Sequence, residues 1–126
     1  MSVAFLDTSY LVAIALDESD APALLRRLNA FGRVSASVLL EAELQSTLKR
    51  EMRPLDERLI ERIIWVHTER PLGPEIGRVL DKGYLRGADC FHLASALYLS
   101  PQPFKMTFLT LDTRQRAVAK ALGFKT

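Results

Sequence analysis

Asp7 and Asp112 each follow a short apolar run directly, and each is followed by hydroxyl residues, Thr8-Ser9 in one case and Thr113 in the other. Asp89 is a lone carboxylate in the otherwise small and apolar stretch Gly87-Ala88-Asp89-Cys90-Phe91-His92-Leu93-Ala94. Glu41 and Glu43 add two more acids on a segment with helical spacing. Several carboxylates, with no cysteine cluster and only two histidines, favour a hard, oxygen-loving cation, Mg²⁺ or Mn²⁺, over zinc. Such ions position phosphate esters, polarise a phosphoryl oxygen and make hydroxide available near neutral pH.

Each residue also has a plainer use. Asp7 and Asp112 stand where helix N-caps are usual. Asp89 has the choice of a cap or an ion pair with Arg86, although a helix N-terminus would also keep it ionised and available as a ligand. Glu41 and Glu43 lie about 160° apart around a helix axis, so only one faces a common centre. The stripe Leu40, Leu44, Leu48 runs between them, and the helical wheel leaves both open.

The elements that must position these groups alternate in type. Val3 to Leu6 reads as a buried strand, followed by a helical pattern from Tyr10 and a second helix that begins near Asp20-Pro22 and stops at Gly32. Arg33 to Ala36 is a second strand, and Ser37 to Arg50 a helix. Asp56 is expected to cap a further helix with Leu59, Ile60, Ile63 and Ile64 on its apolar face; from Trp65 to Arg70 the pattern is weak. A short helix around Ile76, Val79 and Leu80 precedes a long one from about Ala88 to Leu99. Met106 to Leu111 is the last strand, and Ala117 to Leu122 a helix stopped by Gly123. Alternating strands and helices predict a three-layer α/β/α sandwich with a mostly parallel central sheet. In such sheets ligands bind beyond the carboxyl ends of the strands, where Asp7 and Asp112 fall.

The 126 residues suit one domain over 1–126, and 48% hydrophobic with 25% charged residues is an ordinary globular balance. The net charge of +2 names no polyanionic partner, but from Phe104 to Thr126 Lys105, Arg114, Arg116, Lys120 and Lys125 face Asp112 alone, a local balance of +4. The single Cys90 excludes an internal disulfide and suits a reducing compartment. Without a signal-like N-terminus or a long apolar run, the expectation is a cytoplasmic protein with no membrane association.

The stretches Phe5-Leu6-Asp7-Thr8-Ser9, Glu43-Leu44 on a helix ending in Lys49-Arg50, Leu85 to Leu97, and Phe108-Leu109-Thr110-Leu111-Asp112 resemble, in order, the motif series of PIN-domain nucleases. Size and layout are most similar to the VapC-type toxins of toxin–antitoxin pairs. The resemblance implies a Mg²⁺-dependent endoribonuclease with Asp7, Glu43, Asp89 and Asp112 as catalytic residues. Asp7, Asp89 and Asp112 would hold metal directly or through water. Glu43 rather than Glu41 matches the family's helix glutamate. Thr8 and Ser9 match hydroxyls that donate to phosphate or anchor Asp7. A small antitoxin and a homodimer are the implied partners. The last acidic position, sometimes doubled in this family, is single here, because Thr113, Arg114 and Gln115 follow Asp112.

Arg86 and Arg114 complete the expected substrate contacts, as cations beside the acidic positions that would hold RNA phosphates. His92 reads as a hydrogen-bonded core histidine and Cys90 as a small buried apolar residue. Two rival readings are a catalytically silent PIN-like module that binds RNA or a partner, and a phosphoacceptor receiver domain. The latter needs paired acids after its first strand and a lysine at a late strand end, whereas Asp7 is single and Lys105 precedes its strand.

Overall fold

The computed structural model describes residues 2–126. Four strands, β1 (Val3–Leu6), β2 (Arg33–Ser37), β3 (Ile64–Val66) and β4 (Thr107–Leu109), form one parallel sheet in the order β3-β2-β1-β4. Helices α1 (Thr8–Ala15), α2 (Ala21–Asn29) and α3 (Val38–Arg50) occupy the first half of the chain. Helices α4 (Gly73–Lys82), α5 (Gly87–Leu99) and α6 (Thr113–Leu122) occupy the second.

Strand alternation sorts these helices into two layers. Ala4 and Leu6 of β1, Val34 and Ala36 of β2 and Leu109 of β4 pack with Leu11, Leu28, Leu40 and Leu44 from α1, α2 and α3. Phe5 and Phe108 point the other way, into a core with Val79, Leu93, Leu97 and Val118 from α4, α5 and α6. Their rings stack at 6.0 Å between centroids and 10° between planes, holding β1 and β4 in register from that face. The expected three-layer α/β/α sandwich is therefore the observed one.

Two neighbours of β1 set the site. The chain moves from β1 to β2 on one side and returns from β3 to β4 on the other, so the direction of winding reverses between β1 and β4. That junction is where an open α/β sheet leaves a crevice beyond its strand ends. The order also departs from the 2-1-3-4-5 sheet of receiver domains, which removes that rival. At the outer edge, the segment after α6 covers β4: Phe108 donates its amide to the Lys125 carbonyl at 2.8 Å, and Lys125 donates to that of Met106 at 3.1 Å. Gly123 makes this return, taking up a left-handed φ of 107° just beyond α6.

The expected helix over Leu59 to Ile64 is not formed. Glu57–Leu59 is one 3-10 turn capped by Asp56, and Ile64–Val66 is the edge strand β3. Pairing of Ser35, Ala36 and Ser37 with Ile64, Trp65 and Val66 decides the matter, because β-branched Ile64 and Val66 favour the extended state and a sheet partner is within reach. Helix α1 also begins earlier than its apolar pattern, at Thr8, because Asp7 caps it, and α6 begins at Thr113 because Asp112 does the same. Asp7 and Asp112 therefore keep their plainer use as well.

Helix α5 is buried at Cys90 and from His92 to Leu97. Burial pushes the Cys90 thiol above its usual range, in keeping with an inert apolar role. Ser95 is the one buried side-chain polar atom among the described residues with no hydrogen-bond partner. A hydroxyl left unpaired in a helix interior costs about 1–3 kcal/mol. Ser95→Ala is thus expected to raise the thermal midpoint, by roughly 3–5 °C, in a calorimetric comparison with the parent chain. A lower midpoint would show that the hydroxyl is satisfied in solution.

Candidate active site

Asp7 is 3% exposed, and its environment keeps a buried carboxylate supplied with donors. Its Oδ2 accepts from the Ser9 amide at 3.1 Å and the Ser9 hydroxyl at 2.6 Å, with the Thr110 hydroxyl oxygen 3.1 Å away. Its Oδ1 accepts from Gln115 Nε2 alone, at 3.1 Å. A carboxylate oxygen offers about two lone-pair directions, so Oδ2 is saturated and Oδ1 retains one. Asp7 can therefore present a single oxygen to a ligand.

Glu43 points to the same centre from α3, and Glu41 makes no comparable contact. Glu43 Oε1 accepts the Thr8 hydroxyl at 2.7 Å and lies 2.6 Å from His92 Nε2. His92 is 1% exposed, and its Nδ1 meets the Ser37 hydroxyl at 2.9 Å. A proton on Nε2 satisfies both contacts, with the ring donating to Glu43 and accepting from Ser37. Ser37 ends β2, Thr8 opens α1 and His92 lies on α5, so three elements fix one glutamate. Thr8 thus anchors Glu43 while Ser9 anchors Asp7. His92 is the hydrogen-bonded core histidine expected, and it also touches a site residue.

Asp89 stands in the first turn of α5, with no ion pair to Arg86. Burial, followed by the charges of Asp7 and Asp112, holds its carboxyl above the ordinary carboxylate range, and Glu43 adds to the effect. Asp112 Oδ1 accepts the Gln115 amide at 2.8 Å as the cap of α6. Asp89 and Asp112 line a cleft of about 370 Å³ with Leu85, Arg86 and Arg114. Asp89, Asp112 and both expected arginines thus share one cleft, and Asp89 feels the charges of Asp7 and Glu43, which do not line it.

Gln115 was not singled out by the sequence. It is fully buried, donates from Nε2 to Asp7 Oδ1 and to the Asp89 carbonyl, both at 3.1 Å, and accepts the Thr110 hydroxyl at 2.7 Å. One amide therefore ties together β1, the β4 end and α5. The signal for it was its place on the apolar stripe of α6: Gln115, Val118, Ala119 and Leu122 follow the i, i+3, i+4, i+7 rule.

Among the described residues, no group of three or more His, Cys, Asp or Glu side chains is placed to hold a metal ion. In chemical type the donors nevertheless suit a hard divalent cation. The set is all oxygen, it has a free lone pair at Asp7 Oδ1, and the mutual repulsion felt at Asp89 is of the kind a cation relieves.

A parallel α/β/α sandwich with carboxylates near its switch point is a scaffold suited to metal-dependent phosphate chemistry. The family model of the PIN domain matches residues 4–121, and the chain belongs to that family. PIN domains are generally metal-dependent nucleases. No curated protein matches the chain.

Proposed function

We propose that this protein is a Mg²⁺-dependent endoribonuclease and acts as the toxin of a toxin–antitoxin pair. The observation that carries the nuclease reading is the cleft shared by Asp89, Asp112, Arg86 and Arg114, where Asp89 also feels the charges of Asp7 and Glu43. Acids alone would repel a phosphodiester, and cations alone would only bind it. Together they suit metal-assisted hydrolysis.

Asp7, Asp89 and Asp112 would hold the cation, with Asp7 contributing Oδ1. When bound, Mg²⁺, or Mn²⁺ in its place, neutralises phosphate charge and acidifies water in the cleft. Arg86 and Arg114 hold the phosphate oxygens of the chain being cut. Glu43, fixed by Thr8 and His92, orients the attacking water and takes up its proton. Water oxygen bonds to phosphorus as the bond to the 3′ oxygen breaks. The departing oxygen leaves with the electron pair and takes a proton from solvent, giving 5′-phosphate and 3′-hydroxyl ends.

The toxin reading brings a small antitoxin and a homodimer as partners. A protein partner is supported by the apolar depression of Val38, Leu39, Ala42 and Phe91 between α3 and α5, the helices that carry Glu43 and Asp89. No helix among the described residues is long and apolar enough to cross a membrane; a cytoplasmic location is part of the same proposal.

The test is direct. Purified protein is expected to cut structured RNA with Mg²⁺, to stop when EDTA is added, and to lose cutting in Asp7→Asn and Asp89→Asn. Unchanged cleavage in both variants would overturn the site assignment.

A further inference from the structure

Between α4 and α5 the chain makes a short connection through Gly83, Tyr84, Leu85 and Arg86. Leu85 turns inward and is 4% exposed, whereas Tyr84 is held out at 68% exposed. Tyr84 borders a second depression of about 450 Å³, lined by Lys82, Gly83, Tyr84, Arg114, Ala117 and Val118. Arg114 lines both this depression and the acidic cleft, so the two adjoin.

Lys82, Arg86 and Arg114 form no ion pair among the described residues. Arg86 occupies the N-cap of α5, and Arg114 lies in the first turn of α6. The positive end of a helix disfavours a cation at both places, so helix stability does not account for the two arginines. Gly83 explains how the turn reaches them. A Cβ at this position would stand 3.0 Å from Val118 Cγ2, so the absence of a side chain lets the turn lie against α6 and keeps Tyr84 beside Arg114.

An exposed ring flanked by unpaired cations is the arrangement that binds unpaired nucleotides, with the base on the aromatic face and phosphates on the charges. We propose that Lys82, Tyr84 and Arg114 form a subsite for one unpaired nucleotide of an RNA strand entering the acidic cleft. The base stacks on Tyr84, and the flanking phosphates meet Lys82 and Arg114. The placement next to the cut bond rests on the nuclease reading; the binding of single-stranded RNA does not.

The experiment therefore reads binding apart from cleavage. In an Asp89→Asn background, fluorescence anisotropy follows a labelled single-stranded oligoribonucleotide of about 12 residues and its blunt duplex. Tyr84→Ala is expected to weaken single-strand binding about ten-fold or more, with Tyr84→Phe within two-fold of the parent and duplex binding unmoved. Phe104→Ala, which removes an exposed ring from the turn before β4, controls for general loss of aromatic surface. Single-strand affinity unchanged in Tyr84→Ala, or no measurable single-strand binding in the parent, overturns the subsite. So does a Tyr84→Ala defect confined to capture of a copurifying protein. If the unmutated protein binds single strands through Tyr84 but cuts no RNA, the nuclease reading falls and the subsite stands. If it cuts RNA and Tyr84→Ala leaves KM and affinity unchanged, the subsite falls alone.

Discussion

Asp89→Asn is expected to abolish RNA cleavage while raising the thermal midpoint of the metal-free protein. The two effects have one cause. Asp89 is partly buried and sees the charges of Asp7, Asp112 and Glu43, and its carboxyl is held above the usual range. A folded-state pKa above the unfolded one means that the ionised form opposes folding at neutral pH. That penalty disappears as pH falls through the raised value. Asparagine keeps the shape without the charge, so the variant should melt higher than the parent at neutral pH, and the difference should shrink on mild acidification. Added Mg²⁺ should reverse the order, because the parent gains binding energy that the variant has lost. Cleavage should fall at least about a thousand-fold, the scale of removing an electrostatic element that acts on developing charge. A calorimetric series with and without Mg²⁺, beside a single-turnover cleavage assay, reads all of these. A variant that melts lower without metal would show that Asp89 is a structural acid.

Gln115→Met is expected to produce the largest loss of stability of the substitutions considered. Methionine roughly matches the volume, so the cost isolates the polar contacts. Asp7 Oδ1 loses its only donor, the Asp89 carbonyl loses the same amide, and the Thr110 hydroxyl loses one acceptor. Leaving a buried carboxylate oxygen and a carbonyl short of donors should cost about 2–4 kcal/mol, or a fall in Tm of roughly 10 °C. Activity should drop as well, because Asp7 is no longer held with one oxygen turned to the cleft. Denaturant unfolding monitored at Trp65 would measure the first effect. A cost below about 1 kcal/mol would mean that water replaces the amide.

The parts of the site legible in the sequence were those with a local signature. Asp7 and Asp112 were marked by the strand before them and the helix after them, and Asp89 by its isolation in an apolar helix. Glu43 could not be separated from Glu41 by the wheel. Their distinction depends on Thr8 and His92, which lie 35 and 49 residues away along the chain. Gln115 meets Asp7 across 108 residues, so periodicity on α6 could mark it as buried but could not name that partner. The fold was legible for the same reason wherever burial was one-sided or complete over a full helix. β3 was not, since three residues at a sheet edge, of which Ile64 is half-exposed, carry too little pattern to compete with the helical spacing beside them.

Asp7 and Asp112 each close a helix N-terminus with the same carboxyl that faces the crevice. Asp89 holds no such cap, and Glu43 lies past the first turn of α3. The four acids therefore differ in how freely they can drift over generations. A lineage selected to silence the site yet keep the protein intact has its cheapest route through position 89, because loss of Glu43 strands the Nε2 proton of the buried His92. Loss at 7 or 112 also removes a helix cap, so an inactive descendant that still folds should more often retain those two aspartates.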